Sequence, residues 1–247
     1  MISVCMATYN GERFIKEQID SILPQLSTED ELIISDDGST DRTLEIIASY
    51  KDKRIKVFSH KKTENKYYPT LKICFSTANF ENALKNAKGD YIFLSDQDDV
   101  WQKNKIEKSL IALKKYNCVL SNFSTIDDFG NCIKEKFYYQ NPIKKGFIQN
   151  LLFPHFIGCC LCFDKTILQK ILPFPKSTLS HDFWIGLISL KFGKVSFIDE
   201  PLILHRVGNF NTSTACRRSK NSILMKIKYR FYSFIEILRR EREKTRK

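Results

Sequence analysis

The chain has 247 residues, of which 43% are hydrophobic and 13% aromatic, and it carries 40 Lys and Arg against 28 Asp and Glu, a formal net charge of +12. That apolar content supports a substantial core and excludes a disordered or collagen-like chain. The charge sits at one end: residues 216–247 hold 12 cations and 3 acids, which leaves residues 1–215 at only +3 and argues against a nucleic-acid-binding surface spread over the body.

The length fits one large α/β domain or two small ones, and no internal repeat is present. Ile2 to Ala7 reads as a strand and Asn10-Gly11 as a turn. Phe14, Ile15, Gln18, Ile19 and Ile22 then recur at the three- and four-residue spacing of a helix. The unit repeats: Leu32 to Ile34 is a strand, and the turn Ser35 to Thr40 leads into a helix with Leu44, Ile46, Ile47 and Tyr50, expected to be capped by Ser39 or Thr40. A strand over Ile55 to Phe58, a polar stretch from His60 to Pro69, a helix over Ile73 to Ala87 and a strand over Tyr91 to Leu94 follow. This alternation predicts a parallel sheet covered on both faces.

Beyond Trp101 come a helix near Lys105 to Lys115 and a strand Cys118 to Leu120, then shorter elements. These are a hairpin turn at Asp127 to Asn131, a buried strand Gly158 to Phe163, a helix Phe183 to Leu190, and edge strands Val195 to Ile198 and Leu202 to His205. This half is expected to form the second side of a cleft. The eight cysteines follow an N-terminal sequence without the apolar core of a signal peptide, so they are read as reduced, cytosolic thiols. The longest apolar stretch, Leu151 to Phe163, is broken by Pro154 and His155 and falls short of the roughly 20 residues a spanning helix needs.

The most informative segment is Tyr91 to Trp101, in which Asp96, Asp98 and Asp99 follow an apolar strand. Strand C-termini of a parallel sheet are where ligands bind, and closely spaced hard oxygen donors suit Mg2+ or Mn2+ with a diphosphate completing the shell. The same spacing equally describes a solvated loop whose Asp98 or Asp99 caps the next helix. Asp36-Asp37-Gly38-Ser39 follows another strand, where a carboxylate either accepts from a base N–H or a ribose hydroxyl or simply makes an Asx turn. Thr8-Tyr9-Asn10-Gly11 is either a set of nucleotide contacts or an ordinary strand-to-helix turn. Neither a dinucleotide-binding G-x-G-x-x-G nor a Walker G-x-x-x-x-G-K-[ST] sequence occurs.

Together, Val4 to Gly11, Glu31 to Asp41 and Ala87 to Asp99 resemble the inverting nucleotide-sugar glycosyltransferases of family 2, and Ser95-Asp-Gln-Asp-Asp-Val-Trp101 resembles their rhamnosyltransferase-like branch. The resemblance implies an α/β A-type glycosyltransferase fold, a Rossmann-like, mostly parallel central sheet flanked by helices. Residues 1–215 would be the catalytic domain, with a nucleotide-binding half (1–101) and an acceptor-binding half (102–215). It implies that Asp37 contacts the base, with Thr8, Tyr9, Asn10, Asp36, Asp96 and Gln97 around the nucleotide. Asp98 would serve a Mn2+ or Mg2+ ion, with Asp99 and Trp101 beside it toward the sugar or acceptor. His181-Asp182-Phe183-Trp184 matches the family's acidic-aromatic motif, which makes Asp182 the catalytic base, with His181 and Trp184 on the acceptor side and Gly158 leaving room in the floor. Leu204 to Ser213 resembles the loop over the diphosphate. Val207 stands where the family has a histidine, with His205 two residues earlier, and Arg206 is expected either to contact the phosphates or to be a surface residue at the sheet edge.

Gly158-Cys159-Cys160-Leu-Cys162 lacks the two separated pairs of a structural zinc site and is read as small core residues. In the tail, residues 223, 224, 227, 231, 234, 235 and 238 are apolar at helical spacing with Lys and Arg on the other faces. Residues 216–247 are therefore expected to form a basic amphipathic helix that lies on an anionic membrane surface or packs on the body or a second subunit, as in a homodimer. The leading expectation is a glycosyltransferase peripheral on the cytoplasmic face of the membrane, acting on a lipid-linked glycan or polysaccharide acceptor. The alternative is a non-catalytic nucleotide- or partner-binding module on the same fold. A nucleic-acid partner is not expected, because the tail's aromatics fall on its apolar stripe rather than beside the charge.

Overall fold

The structure, a computed structural model, describes residues 1–62, 65–68, 73–208 and 221–245. Its strands are β1 (Ile2–Thr8), β2 (Glu31–Asp36), β3 (Ile55–Ser59), β4 (Tyr91–Ser95), β5 (Val100–Trp101), β6 (Cys118–Ile126), β7 (Cys132–Lys134), β8 (Leu161–Asp164) and β9 (Val195–Arg206). Its helices are α1 (Ile15–Ile22), α2 (Thr43–Ser49), α3 (Ile73–Asn86), α4 (Lys105–Leu113), α5 (Gly146–Leu152), α6 (Lys165–Ile171), α7 (His181–Phe192) and α8 (Ile223–Thr245). One sheet runs in the order β3-β2-β1-β4-β8-β6-β9-β5, with β7 on β6.

The first half is parallel, as the alternation of elements predicts: β1 pairs with β2 and β4, and β2 with β3. Strands covered on both faces have apolar centres, and every residue of β2, with Leu32 to Ile34 at its middle, is buried. The second half joins the same sheet through antiparallel pairs, β4 with β8 and β8 with β6, so the sheet passes residue 101 without a break.

The two short edge strands expected near the C-terminal side are instead the single bulged strand β9. It lies inside the sheet between β6, which it pairs in parallel, and β5, which it pairs antiparallel. Pro201 interrupts its apolar alternation, and the bulge there absorbs a residue that cannot donate to the ladder. The expected strand at Gly158 to Phe163 begins as a helical turn over Gly158–Cys160 and becomes strand only at Leu161. Ser39 and Thr40 do not cap α2. That helix starts at Thr43, whose N–H and hydroxyl both donate to Asp41 Oδ1 at 3.0 and 2.5 Å, while Ser39 and Thr40 are drawn to Asp36 and Asn10.

Helix α8 packs on the body, and its inward face differs from the expected apolar stripe. Tyr229, Ser233 and Ile237 are buried, whereas Ile223, Leu224, Ile227 and Phe231 are exposed. The reason lies in its arginines. Arg230 Nε donates to the carbonyls of Leu151 and Leu152, both at 3.1 Å, and Arg240 donates to the carbonyls of Lys170, Leu172 and Pro173. These carbonyls lie in the last turns of α5 and α6 or just beyond the end of α6, where no helical N–H reaches. No helix among the described residues is long and apolar enough to cross a membrane.

Candidate active site

Strand register assembles the site. Thr8 is level with Asp36 and Met6 with Ser95, so the loops after β1, β2 and β4 leave the sheet along one edge. The β1 loop is fixed from both sides. Tyr9 N–H donates to Gln97 Oε1 at 2.9 Å, Gln97 Nε2 returns a bond to the Tyr9 carbonyl at 3.1 Å, and the Thr40 N–H donates to Asn10 Oδ1 at 2.8 Å. Asn10 holds a left-handed backbone with φ of 49°, which an asparagine tolerates.

The two aspartates after β2 have separate roles. Asp36 is occupied within its own turn, accepting from Thr8 Oγ1 at 2.8 Å and from the Gly38 N–H, the Ser39 N–H and Ser39 Oγ at 3.0, 2.8 and 2.6 Å. Asp37 sits on the Thr8 carbonyl through its N–H and shares a hydrogen bond with the His60 imidazole. Burial raises its carboxyl above the ordinary range against the pull of His60 and Lys62. Lys62 also lies over the Tyr9 ring, so His60 and Lys62 join this corner. Both belong to the polar stretch that offered no periodicity to single them out.

The loop after β4 is no solvated cap, since α4 begins only at Lys105. Asp96, Gln97 and Asp98 line the rim, half-buried, whereas Asp99 is fully buried beneath them. Asp99 Oδ1 accepts from His205 Nδ1 at 2.8 Å and from the Arg206 N–H at 3.1 Å. Burial opposes charge on both members of the pair. His205 outweighs it and holds Asp99 below the usual carboxylate range, and Asp99, Asp96 and Asp98 hold His205 above the usual imidazole range. Asp96 and Asp98 go the other way: burial first, then repulsion from the neighbouring carboxylates, pushes both upward. A rim of carboxylates that resist ionisation in one another's company is a place where a cation is favoured.

Donor atoms of Asp96, Asp99, Cys159 and His205 lie within 4.8 Å of one another, and Asp99 Oδ2 is buried with no hydrogen-bond partner. Asp96 and the unpartnered Asp99 Oδ2 offer hard oxygen donors that fit a divalent cation, whereas His205 is committed to Asp99, and Asp98, the expected ligand, lies outside this group. Cys159 enters this group, its Sγ 3.8 Å from His205 Nδ1, although the sequence reads as inert core there. Its partners come from residues 96–99 and 205, separations that no local spacing displays.

Arg206 comes from the end of β9 and is buried, its guanidinium donating to the Asp98 carbonyl at 2.9 Å, the Asp127 carbonyl at 3.0 Å and Glu17 at 2.6 Å. It holds the acidic loop from beneath. The loop residues that follow, from Asn209 to Ser213, lie outside the described residues.

Asp182 lies in the first turn of α7, half-buried, with its Oδ1 accepting from the Phe183 N–H at 2.7 Å. Its charge adds to the repulsion at Asp96, and the turn at Gly158–Cys160 lies between the two, Gly158 against the His181 ring and Cys159 among the donors of the acidic loop. Burial pushes its carboxyl up to about 6. Its neighbours are placed differently. Trp184 is buried with Nε1 on the Ile171 carbonyl at 3.0 Å, and Trp101 is buried against Phe93, so both indoles belong to the core under the cleft rather than to its walls.

His181 stacks on Phe80 at 4.1 Å between ring centroids, with both ring nitrogens buried and unpartnered, and burial pushes its imidazole down to about 3. Gly158 makes room for that ring: a Cβ there would meet His181 Nε2 at 2.4 Å. Gly158→Ala is therefore expected to displace the imidazole and to cost about 1–3 kcal/mol. Scanning calorimetry checks this, and an unchanged melting temperature would remove the space-making role.

The family model for Glycosyl transferase family 2 matches residues 3–172. An uncharacterized glycosyltransferase of Rickettsia typhi is 30% identical over 225 residues, 86% of this chain and 66% of that protein. The UDP-Glc:alpha-D-GlcNAc-diphosphoundecaprenol beta-1,3-glucosyltransferase of Escherichia coli is 30% identical over 81% of this chain and 73% of its own length. A dTDP-rhamnosyl transferase of Shigella flexneri is 37% identical over 47% of this chain and 40% of its own length. Among solved structures, Staphylococcus aureus TarS 1-349 in complex with UDP-GlcNAc aligns with a TM-score of 0.65 at 18% identity, over 90% of this chain and 62% of that one, which shows a shared fold. Several of these relatives are longer proteins, of which the chain spans two thirds or less.

Proposed function

The chain belongs to glycosyl transferase family 2, and from that premise we propose that it is an inverting glycosyltransferase acting on a nucleotide-sugar donor. The donor is dTDP-rhamnose or a UDP-hexose, and the acceptor is a lipid-linked glycan or polysaccharide of bacterial surface-glycan biosynthesis, met at the cytoplasmic face of the membrane. The observation that supports this reading is the register that brings the loops bearing Asp37 and Asp96–Asp99 to one edge of the sheet, with Asp182 near enough to add to the repulsion at Asp96. The relatives that act on UDP-glucose and dTDP-rhamnose support the donor class.

In this reading Asp37, paired with His60, meets the base, and Tyr9 and Asn10, clasped by Gln97 and Thr40, present a fixed backbone to the nucleotide. Asp96, with Asp98 beside it on the rim, would hold a Mn2+ or Mg2+ ion, which would neutralise charge on the departing diphosphate. Asp182 takes the proton from the acceptor hydroxyl as that oxygen attacks the anomeric carbon from the face opposite the diphosphate. The bond from that carbon to the phosphate oxygen breaks, and the nucleoside diphosphate leaves. A base whose carboxyl is pushed up to about 6 is better matched to this task near neutral pH than an ordinary aspartate.

Calorimetry with dTDP- and UDP-sugars, with and without Mn2+, tests the donor site. Metal-dependent binding of one nucleotide class is expected for the wild type, with affinity lost in Asp98→Ala. A wild type that binds no donor under any of these conditions would leave only the non-catalytic module.

A further inference from the structure

We propose that α5 and the N-terminal half of α8 form one docking surface for an anionic lipid bilayer, placed beside the catalytic cleft. Because α8 turns Tyr229, Ser233 and Ile237 inward, the residues about half a turn away face outward, and they are apolar: Leu224 is 77% exposed and Phe231 58%, with Ile223 and Ile227 exposed between and beside them. Isolated exposed apolar residues need no explanation, but these continue onto a second element. The bonds from Arg230 to the carbonyls of Leu151 and Leu152 tie α8 to the end of α5, where Leu152 and Phe153 are exposed, the latter by 61%, and Ile148 lies one turn earlier. An apolar face built from two helices is of the kind that marks an interaction surface.

The charge of the surrounding sequence selects the occupant. Residues 136–163, which contain α5, include no Asp or Glu. Residues 221–235, the described segment that contains the exposed part of α8, again include no Asp or Glu, and they carry Lys226, Lys228 and Arg230. The chain as a whole has 28 acids in 247 residues, whereas these two acid-free segments meet where Arg230 ties α8 to the end of α5. Apolar side chains for the acyl boundary and cations for the headgroups are what an anionic bilayer recognises, whereas a second copy of so basic a face would repel itself.

The location gives the docking a use, and this step rests on the proposed transferase reading. Tyr229 of α8 packs edge-on against Phe183, ring centroids 5.4 Å apart, and Phe183 follows Asp182. A bilayer under α5 and α8 would present the headgroup of a lipid-linked acceptor next to Asp182, which favours a lipid-linked over a free polysaccharide acceptor.

The test is co-sedimentation of the full chain with vesicles of phosphatidylcholine alone and of phosphatidylcholine with phosphatidylglycerol. Two double variants accompany it, one on each helix: Ile227→Asp with Phe231→Asp, and Leu152→Asp with Phe153→Asp. The wild type is expected to pellet with anionic and not with neutral vesicles, and each double variant to bind about tenfold or more weakly with an unchanged melting temperature. A wild type that stays in the supernatant with anionic vesicles at low salt overturns the proposal, as does binding that neither variant weakens. A wild-type dimer, separated by the same substitutions in sedimentation velocity and indifferent to vesicles, assigns the surface to a second copy instead. Donor calorimetry on the same preparations separates the two readings: loss of donor binding would sink the transferase and leave the vesicle result standing, and the reverse result would sink only the docking.

Discussion

Asp182→Asn is expected to lower turnover by about 10²–10⁴-fold while raising the melting temperature, because in the proposed role the same carboxylate would serve the reaction and burden the fold. The amide keeps the size of the side chain and an oxygen for the Phe183 N–H but cannot take a proton from the acceptor. In the wild type, burial raises the carboxyl from 3.8 to about 6, so the folded chain holds its proton over a range where the unfolded chain has lost it. The stability contribution of the group therefore falls as pH rises between these values, and the penalty is complete above pH 6 and absent below 3.8. With allowance for its partial exposure the penalty is about 1–2 kcal/mol. Melting curves of wild type and Asp182→Asn should diverge above pH 6 and converge near pH 4, while kcat/KM of the wild type rises with pH through about 6. A variant that keeps wild-type turnover would remove Asp182 from the base role, and melting curves that stay parallel would remove the penalty.

Asp99→Asn is expected to be the most destabilising single change in the site, by about 3 kcal/mol, because it leaves His205 buried without its counter-charge. His205 and Asp99 are 2% and 0% exposed, so solvent replaces nothing. The signs of the two shifts define a window. Asp99, held low, contributes stability above its unfolded value of 3.8, and His205, held high, contributes below its unfolded value of 6.5. The difference in melting temperature between metal-free wild type and Asp99→Asn should thus be greatest between these pH values and shrink as pH rises further and His205 loses its proton. Thermal melts across pH read this directly. A difference that is flat with pH would mean that the pair holds no charge.

Much of this site is written locally. The carboxylates after β2 and β4 follow apolar strands, and two parallel strands flanking a third bring their C-terminal loops to one edge, so Asp37 and Asp96 to Asp99 could be placed together from sequence alone. The motif placed Asp182 at a helix start, and it lies in the first turn of α7. What lay hidden depends on distant partners. His205 and Cys159 meet the acidic loop only because β9 runs inside the sheet and the turn at Gly158–Cys160 abuts it, and neither has a local signature. The tail misled for a different reason. Amphipathic patterning assumes that cations face water, but two of its arginines satisfy carbonyls at the ends of α5 and α6, which turns part of the apolar stripe outward. Trp101 and Trp184 show the converse: aromatic residues next to motif carboxylates are core residues that support the loops from below.

The ties from β9 to the acidic loop also set a timetable for the nascent chain. Asp99 accepts from the backbone of a residue 107 positions later, and the Arg206 guanidinium reaches back 189 positions to Glu17. At ribosomal rates the first of these gaps amounts to roughly 5–20 s of synthesis. Throughout that interval every motif residue of the first half has been made while the acidic loop lacks both the cation beneath it and the strand beside it. The emerging chain thus passes through a stage in which three neighbouring aspartates have nothing to hold them together. Ribosome-bound intermediates halted before β9 should expose this loop to proteases that the finished protein resists.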